Sequence, residues 1–149
     1  MQPVEFKDLP GLIGQEIGVS GWVEVGQDRV NQFADATGDH QWIHVDVERA
    51  TREIGGPIVH GYLTLSLIPW LSEGIFQVNG VARALNYGSD KVRFLNMVKV
   101  GKRVRLRQKV LAVEPRAGGL SVKTECTVEI EGEAKPACVA ETISVLFGD

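Results

Sequence analysis

The sequence predicts an α+β domain in which a curved antiparallel sheet wraps around one central, buried helix. Two observations predict it. Apolar residues of the second half recur at every second position, as in strands with one wet face, and residues 60–73 are apolar on nearly every side. An antiparallel sheet with one dry face needs a cover, and that helix is the obvious one.

In chain order, residues 19–25 read as a short strand and residues 28–37 as a helix with Val30, Phe33, Ala34 and Thr37 at helical spacing. Gly38 fits as the left-handed residue that ends this helix, so Asp39 opens the next loop from a rigid base. Asp46 is placed to cap a second short helix, with Val47, Ala50, Thr51 and Ile54 on one face and Gly55-Gly56-Pro57 as its stop. In the enclosed helix, Pro69 cannot donate to the Leu65 carbonyl and should kink or end it. Three strands follow. Val104, Leu106, Val110 and Ala112 alternate with Arg103, Arg105, Arg107 and Lys109; Val122, Thr124, Cys126, Val128 and Ile130 alternate with polar residues; Val139, Ile143, Val145 and Phe147 continue the pattern. Turns are expected at Gly88-Ser89-Asp90, Arg116-Ala117-Gly118-Gly119 and Glu131-Gly132-Glu133, which makes the pairing antiparallel.

The 149 residues suit one domain spanning 1–149, large enough to bury a core without disulfides or metals. A net charge of −3 gives no general attraction to nucleic acid or anionic membranes. The start of the chain lacks the pattern of a secretory signal, and no segment has the roughly 20 apolar residues needed to span a bilayer, so a cytoplasmic protein is expected. Cys126 and Cys138 fall on separate strands and read as buried free thiols.

All three histidines, His40, His44 and His60, lie within a short stretch together with Asp39. Groups able to move protons near neutral pH are thus concentrated in one place. Taken singly, Asp39 reads as a loop carboxylate and His44 as a packed imidazole. His40 and His44 have the spacing of metal ligands on a helix, with Asp39 as a third, but Gly38 and Trp42 argue against a continuous helix there, and no metal is expected. His40 is read as exposed, and His60 as a capping or packing group at the pocket edge. The Arg103, Arg105, Arg107 and Lys109 row is a solvated outer face.

The strings Phe33, Gly38-Asp39, Ile43-His44 and His60-Gly61 resemble the signature of the MaoC-like family of R-specific enoyl-CoA hydratases, which have the hot-dog fold. In that signature an aromatic residue leads to Gly-Asp-x-Asn-Pro-aliphatic-His, with a His-Gly at the start of the central helix. Here Gln41 stands for Asn and Trp42 for Pro, a spelling similar to the branch of nodulation protein N. The likeness continues through Asn86-Tyr87-Gly88 and Val92-Arg93-Phe94 to Val100-Gly101.

The residue types suit addition of water to a double bond conjugated to a thioester. Asp39 and His44 can share the base and acid roles on one water, and the Gly61 N–H at a helix start can meet charge on the carbonyl oxygen. The resemblance implies an acyl-CoA or acyl-carrier thioester substrate, coenzyme A as part of that substrate rather than a cofactor, R stereochemistry and a homodimer. Gln41, His60, Tyr62, Asn86, Tyr87 and Gly88 are the expected substrate-binding residues. Arg83, Lys91 and Arg93 are candidates for the coenzyme A phosphates. Trp42, Tyr62, Leu65, Phe76 and Phe94 are candidates for an acyl tunnel, although core packing explains them equally well. A hot-dog thioesterase and a non-catalytic acyl-thioester-binding subunit of a heteromeric dehydratase are the alternatives.

Overall fold

The computed structural model describes residues 3–149. Its main sheet has six strands: β2 (Glu16–Val19), β3 (Val23–Glu24), β5 (Val81–Phe94), β6 (Arg103–Arg116), β7 (Gly119–Ile130) and β8 (Cys138–Gly148). The order is β2-β6-β7-β8-β5, with β3 also paired to β6, and every pairing in it is antiparallel. A small parallel pair joins β1 (Val4–Glu5) to β4 (Val78–Asn79). The expected strand over 19–25 is therefore two short pieces, β2 and β3, both lying along β6.

Helix α1 (Gln27–Thr37) buries Val30 and Ala34 and ends where Gly38, at φ 85°, returns its N–H to the Ala34 carbonyl at 2.8 Å. One helical turn, α2 (Trp42–Val45), interrupts the expected loop, and α3 (Val47–Ile54) follows with the Asp46 carboxylate accepting from the Arg49 N–H. Of the expected α3 face only Ala50 is buried; Val47, Thr51 and Ile54 stay exposed because no other element lies over them among the described residues.

The central helix is two pieces, α4 (Gly61–Ser66) and α5 (Ile68–Glu73). The break falls at Leu67, with Pro69 in the first turn of α5, where its missing N–H costs nothing. α4 packs on β8 and α5 on β6. Leu63, Leu67, Ile68 and Leu71 meet Leu106, Val110, Cys126 and Val128 in one core, each such side chain contributing about 1.5–3 kcal/mol by leaving water. The helix is not wrapped on all sides, however: Tyr62 is 71% exposed and Trp70 is also exposed. Among the described residues its outer side is largely open, with the Arg29 guanidinium of α1 over the Trp70 ring at 4.8 Å.

Two further expectations are corrected. Gly88-Ser89-Asp90 is not a turn; β5 runs through it, and the irregular residues appear as register shifts around Gly88 and Lys91, the latter at φ 52°. Bulges of this kind blunt an edge strand. In β8 the inward residues are Cys138, Ala140, Thr142 and Ser144, which pair with inward Val128, Cys126, Thr124 and Val122. Val139, Ile143 and Phe147 occupy the opposite face. The turns at Ala117-Gly118 and after Ile130 are as expected.

The outer face of the sheet is charged. Arg103 pairs with Glu131, Arg105 with Glu129 at 2.9 Å, and Arg107 with Glu16. Cys126 and Cys138 are free and buried, and burial pushes the Cys138 thiol up to about 11. Among the described residues no helix is long and apolar enough to cross a membrane.

Candidate active site

The Asp39 to His44 segment is fastened at several points. Gln27 on α1 donates its side-chain amide to the His44 carbonyl at 2.8 Å, and the Ile58 N–H bonds the Ile43 carbonyl at 2.9 Å. The His44 ring is held as well. Its Nδ1 lies 2.6 Å from the Ile58 carbonyl oxygen, an atom that only accepts, so Nδ1 must carry a proton. In the neutral ring Nε2 is then the bare acceptor. That nitrogen faces the Asp39 Oδ2 across 4.0 Å, too far for a direct hydrogen bond and close enough for one water to touch both. Asp39 is half-exposed, and its Oδ1 accepts from the Gln41 N–H at 3.3 Å, a short-range turn that fixes the carboxylate.

His60 lies behind this pair. It is 2% exposed, stacks on His44 with ring centroids 3.9 Å apart, and donates from Nε2 to the Asp39 carbonyl at 3.1 Å. Its Nδ1 is buried without a partner. Burial is the main cause that pulls its pKa below the ordinary histidine value, followed by the Asp39 carbonyl acting in the other direction. Burial thus favours the neutral form of His60, which ties the Asp39 backbone to the His44 ring. One donor atom from each of Asp39, His44 and His60 lies within 4.8 Å of the others, a set with the ligand types for a metal.

A cavity of about 520 Å³ opens beside His44 and is lined by Gly61, Thr64, Phe94, Asn96 and Lys135, among others. Gly61 is the first residue of α4, where an N–H has no acceptor within the helix. A Cβ at that position would lie 3.2 Å from the Phe94 ring, so the glycine is what lets Phe94 pack this close to the start of α4. The cavity is lined by the His44 ring and by the Gly61 backbone donor, and the Asp39 carboxylate, outside its lining, lies 4.0 Å from His44 Nε2: together these are the parts for adding water to a polarised double bond.

Asp39, His44, His60 and Gly61 are brought together. Gln41 is adjacent: its backbone N–H bonds the Asp39 carboxylate and its carbonyl accepts from the His44 N–H at 3.0 Å, and its departure from Asn leaves both bonds intact. Tyr62 points outward, edge-on to Phe94 at 6.1 Å. Asn86, Tyr87 and Gly88 are not at this centre, because they sit midway along edge strand β5, whose C-terminal end alone reaches Gly61 through Phe94. Asn86 lines a second cavity instead, and Tyr87 lies under the Arg116 guanidinium at 4.0 Å, which pulls its pKa down. Trp42 stacks with Arg49 at 4.1 Å outside the cavity, whereas Leu65 and Phe76 line the second cavity. His40 is exposed and bonded to Asp35 at 2.9 Å, which raises its pKa. Of the proposed phosphate contacts, Lys91 pairs with Glu141 at 3.5 Å and Arg83 covers Phe147 at 4.2 Å. Lys135 is the cation on the cavity wall, held by the bond of Asn96 Nδ2 to its carbonyl at 3.2 Å. Sequence reasoning missed it, since nothing marks one lysine in a β7–β8 loop.

The MaoC-like domain family matches residues 8–133. The chain is 51% identical over 138 residues to 3-hydroxyacyl-thioester dehydratase Z of Mycobacterium tuberculosis, covering 91% of both proteins. It is 45% identical to nodulation protein N of Rhizobium leguminosarum bv. viciae, over all of this chain and 95% of that one. In three dimensions it is similar to the R-hydratase PhaJ1 of Pseudomonas aeruginosa, with a TM-score of 0.75 at 21% identity over 92% of this chain and 83% of that one. The (R)-hydratase of A. caviae gives 0.70 at 24% identity, over 89% and 94% respectively. The antiparallel sheet with its helix is accordingly a hot-dog fold, and the chain belongs to the MaoC-like dehydratase family.

Proposed function

We propose that the protein is a (3R)-specific enoyl-CoA hydratase, acting in reverse as a 3-hydroxyacyl-CoA dehydratase. The observation that carries this reading is the 2.6 Å bond between His44 Nδ1 and the Ile58 carbonyl, which assigns the proton to Nδ1 and leaves Nε2 free to accept across 4.0 Å from Asp39. A water between them donates one proton toward Nε2 and the other toward the carboxylate, with its oxygen lone pair free. That oxygen bonds to the β-carbon of a trans-2-enoyl thioester. The π pair moves to the α-carbon, with charge shared by the thioester oxygen at the Gly61 N–H. The proton taken from water by one of the two groups returns to the α-carbon, so one water is added and the enzyme is restored. Each positioned proton transfer contributes about 10²–10⁴-fold. Coenzyme A enters as part of the substrate, and the chemistry needs no redox cofactor or metal.

The family membership and the dehydratase name of the M. tuberculosis relative support a hydro-lyase. Lys135 and exposed Arg93 are suited to the phosphates of coenzyme A. The reading includes a cytoplasmic homodimer. Tyr62, Leu85, Tyr87, Phe94 and Met97 are exposed on α4, on β5 and just beyond it, and a second copy laid there would cover them. In that arrangement Asn86, Tyr87 and Gly88 would serve the substrate across the interface.

The test is a panel of trans-2-enoyl-CoA esters of increasing length, followed by loss of the conjugated absorbance, with the hydroxyacyl product resolved on a chiral column. The expected result is the R product. S product, or release of free thiol in place of hydration, overturns the reading, as does binding without turnover in the purified chain.

A further inference from the structure

A second cavity, of about 600 Å³, lies against α4, α5 and the inner face of the sheet, and the chemistry above does not use it. Gly61, Leu65, Ile68 and Ser72 are spaced as one helical stripe, because the Leu67 N–H bonds the Leu63 carbonyl and the Leu71 N–H the Leu67 carbonyl, both at 3.0 Å, across the break. The stripe begins at the proposed thioester donor, and its next three residues all line the cavity. At 1.5 Å per residue the stripe is at most about 16 Å long. An acyl chain running along this stripe from the thioester meets residues that line this cavity.

The cavity is apolar at Leu65, Phe76 and Leu146, but its sheet side is not. Gln108 is only 4% exposed and sits on the inward face of β6 between buried Leu106 and Val110. Its Oε1 accepts from the Ser72 hydroxyl at 2.9 Å, and its Nε2 lies 3.4 Å from the Cys126 sulfur. The Thr142 hydroxyl is 3.5 Å from the same sulfur, and Ser144 adds another hydroxyl to the wall. Sulfur is a weak acceptor, so the amide N–H groups retain donor capacity beside the cavity. A plain hydrocarbon occupant would strip water from the half-buried Ser72, Thr142 and Ser144 hydroxyls and offer nothing in return. A wall shaped for alkyl chains alone would carry at position 108 what its neighbours on that face carry.

We propose that this cavity holds the acyl chain and that Ser72, Gln108 and Thr142 select chains bearing an oxygen substituent, a hydroxyl or oxo group, beyond the reacting carbons. The inference rests on the hydratase reading and names its substrate class. The test uses purified protein and trans-2-enoyl-CoA esters of one chain length, unsubstituted or with a hydroxyl moved outward carbon by carbon. At one position the hydroxylated ester is expected to exceed the unsubstituted one in kcat/KM by about three- to tenfold, the worth of one ordinary hydrogen bond. Gln108→Leu should bring that ratio to one or below, and Thr142→Val should lower it in the same direction if Gln108→Leu does not fold. A preference for the unsubstituted ester at every position, or a ratio unmoved in the folded variants, overturns the proposal. If no ester is turned over, the hydratase reading fails on its own. Competition between the two esters for binding to Asp39→Asn then decides the pocket separately, tighter binding of the hydroxylated ester supporting it and equal or weaker binding overturning it.

Discussion

Replacing Gly61 by alanine separates what the central helix does for the fold from what it does for the thioester. The added Cβ would sit 3.2 Å from two atoms of the Phe94 ring and 3.3 Å from a third, so the ring must give by a few tenths of an ångström. Phe94 is 47% exposed within one chain, which gives the ring that room wherever the proposed second copy does not close over it. Alanine in a helix is favoured over glycine by up to about 1 kcal/mol, which offsets the push on the ring. The net change in stability is therefore expected within about 1 kcal/mol, or roughly 2–4 °C in melting temperature for a chain of this size. Activity should not be spared. Phe94 lines the same cavity as Gly61, so a displaced ring alters the space in which the thioester oxygen meets the Gly61 N–H, and loss of one such donor costs about 10²–10³ in kcat. The assay pairs a thermal melt with initial rates of enoyl-CoA hydration. A variant that melts like wild type and hydrates within about threefold of it refutes the role given to this N–H.

Two other perturbations bear on the site. Lys135→Ala should raise KM for a coenzyme A ester several-fold at low salt with kcat little changed, and the difference should shrink at high salt as exposed charges are screened; steady-state kinetics at two ionic strengths check this. Because burial lowers the folded-state pKa of His60, the unfolded chain binds its proton first as pH falls. The stability it contributes is present above the ordinary histidine value of about 6.5 and is lost below it. Melting temperature should thus fall on acidification through that range, and His60→Phe, which keeps a ring against His44, should show a shallower fall. An identical pH slope in the two proteins contradicts the burial argument.

The elements that position the site were legible because single residues there have few conformational options. Gly38 could end α1 in one way, Asp46 could cap α3, and Pro69 could not continue α4, so the placement of Asp39 and the helix break followed from backbone chemistry. Alternation read β6 and β7 correctly because one face of each is charged. It failed on β8, where Val139, Ile143 and Phe147 make the outer face as apolar as the inner one and only the pairing with β7 settles the phase. Gln108 was hidden between Arg107 and Lys109, where a polar residue reads as another solvated position. Gly88-Ser89-Asp90 spells a turn locally, yet the long ladder with β8 carries it as bulges. The apolar pattern of α4 was read as enclosure within the chain, whereas Tyr62 faces outward. The sequence records that a residue is apolar without recording whose surface covers it.

The account depends most on a water held jointly by Asp39 and His44. The direct measurement is the rate of hydration of trans-2-enoyl-CoA by Asp39→Asn and by His44→Gln, alone and combined, each with a melt showing that the protein is folded. If the two groups act on one water, either single change should lower kcat by about 10²-fold or more, and the double variant should be little worse than the poorer single one. Near wild-type rates in either folded single variant, or losses that multiply as for independent groups, would contradict it.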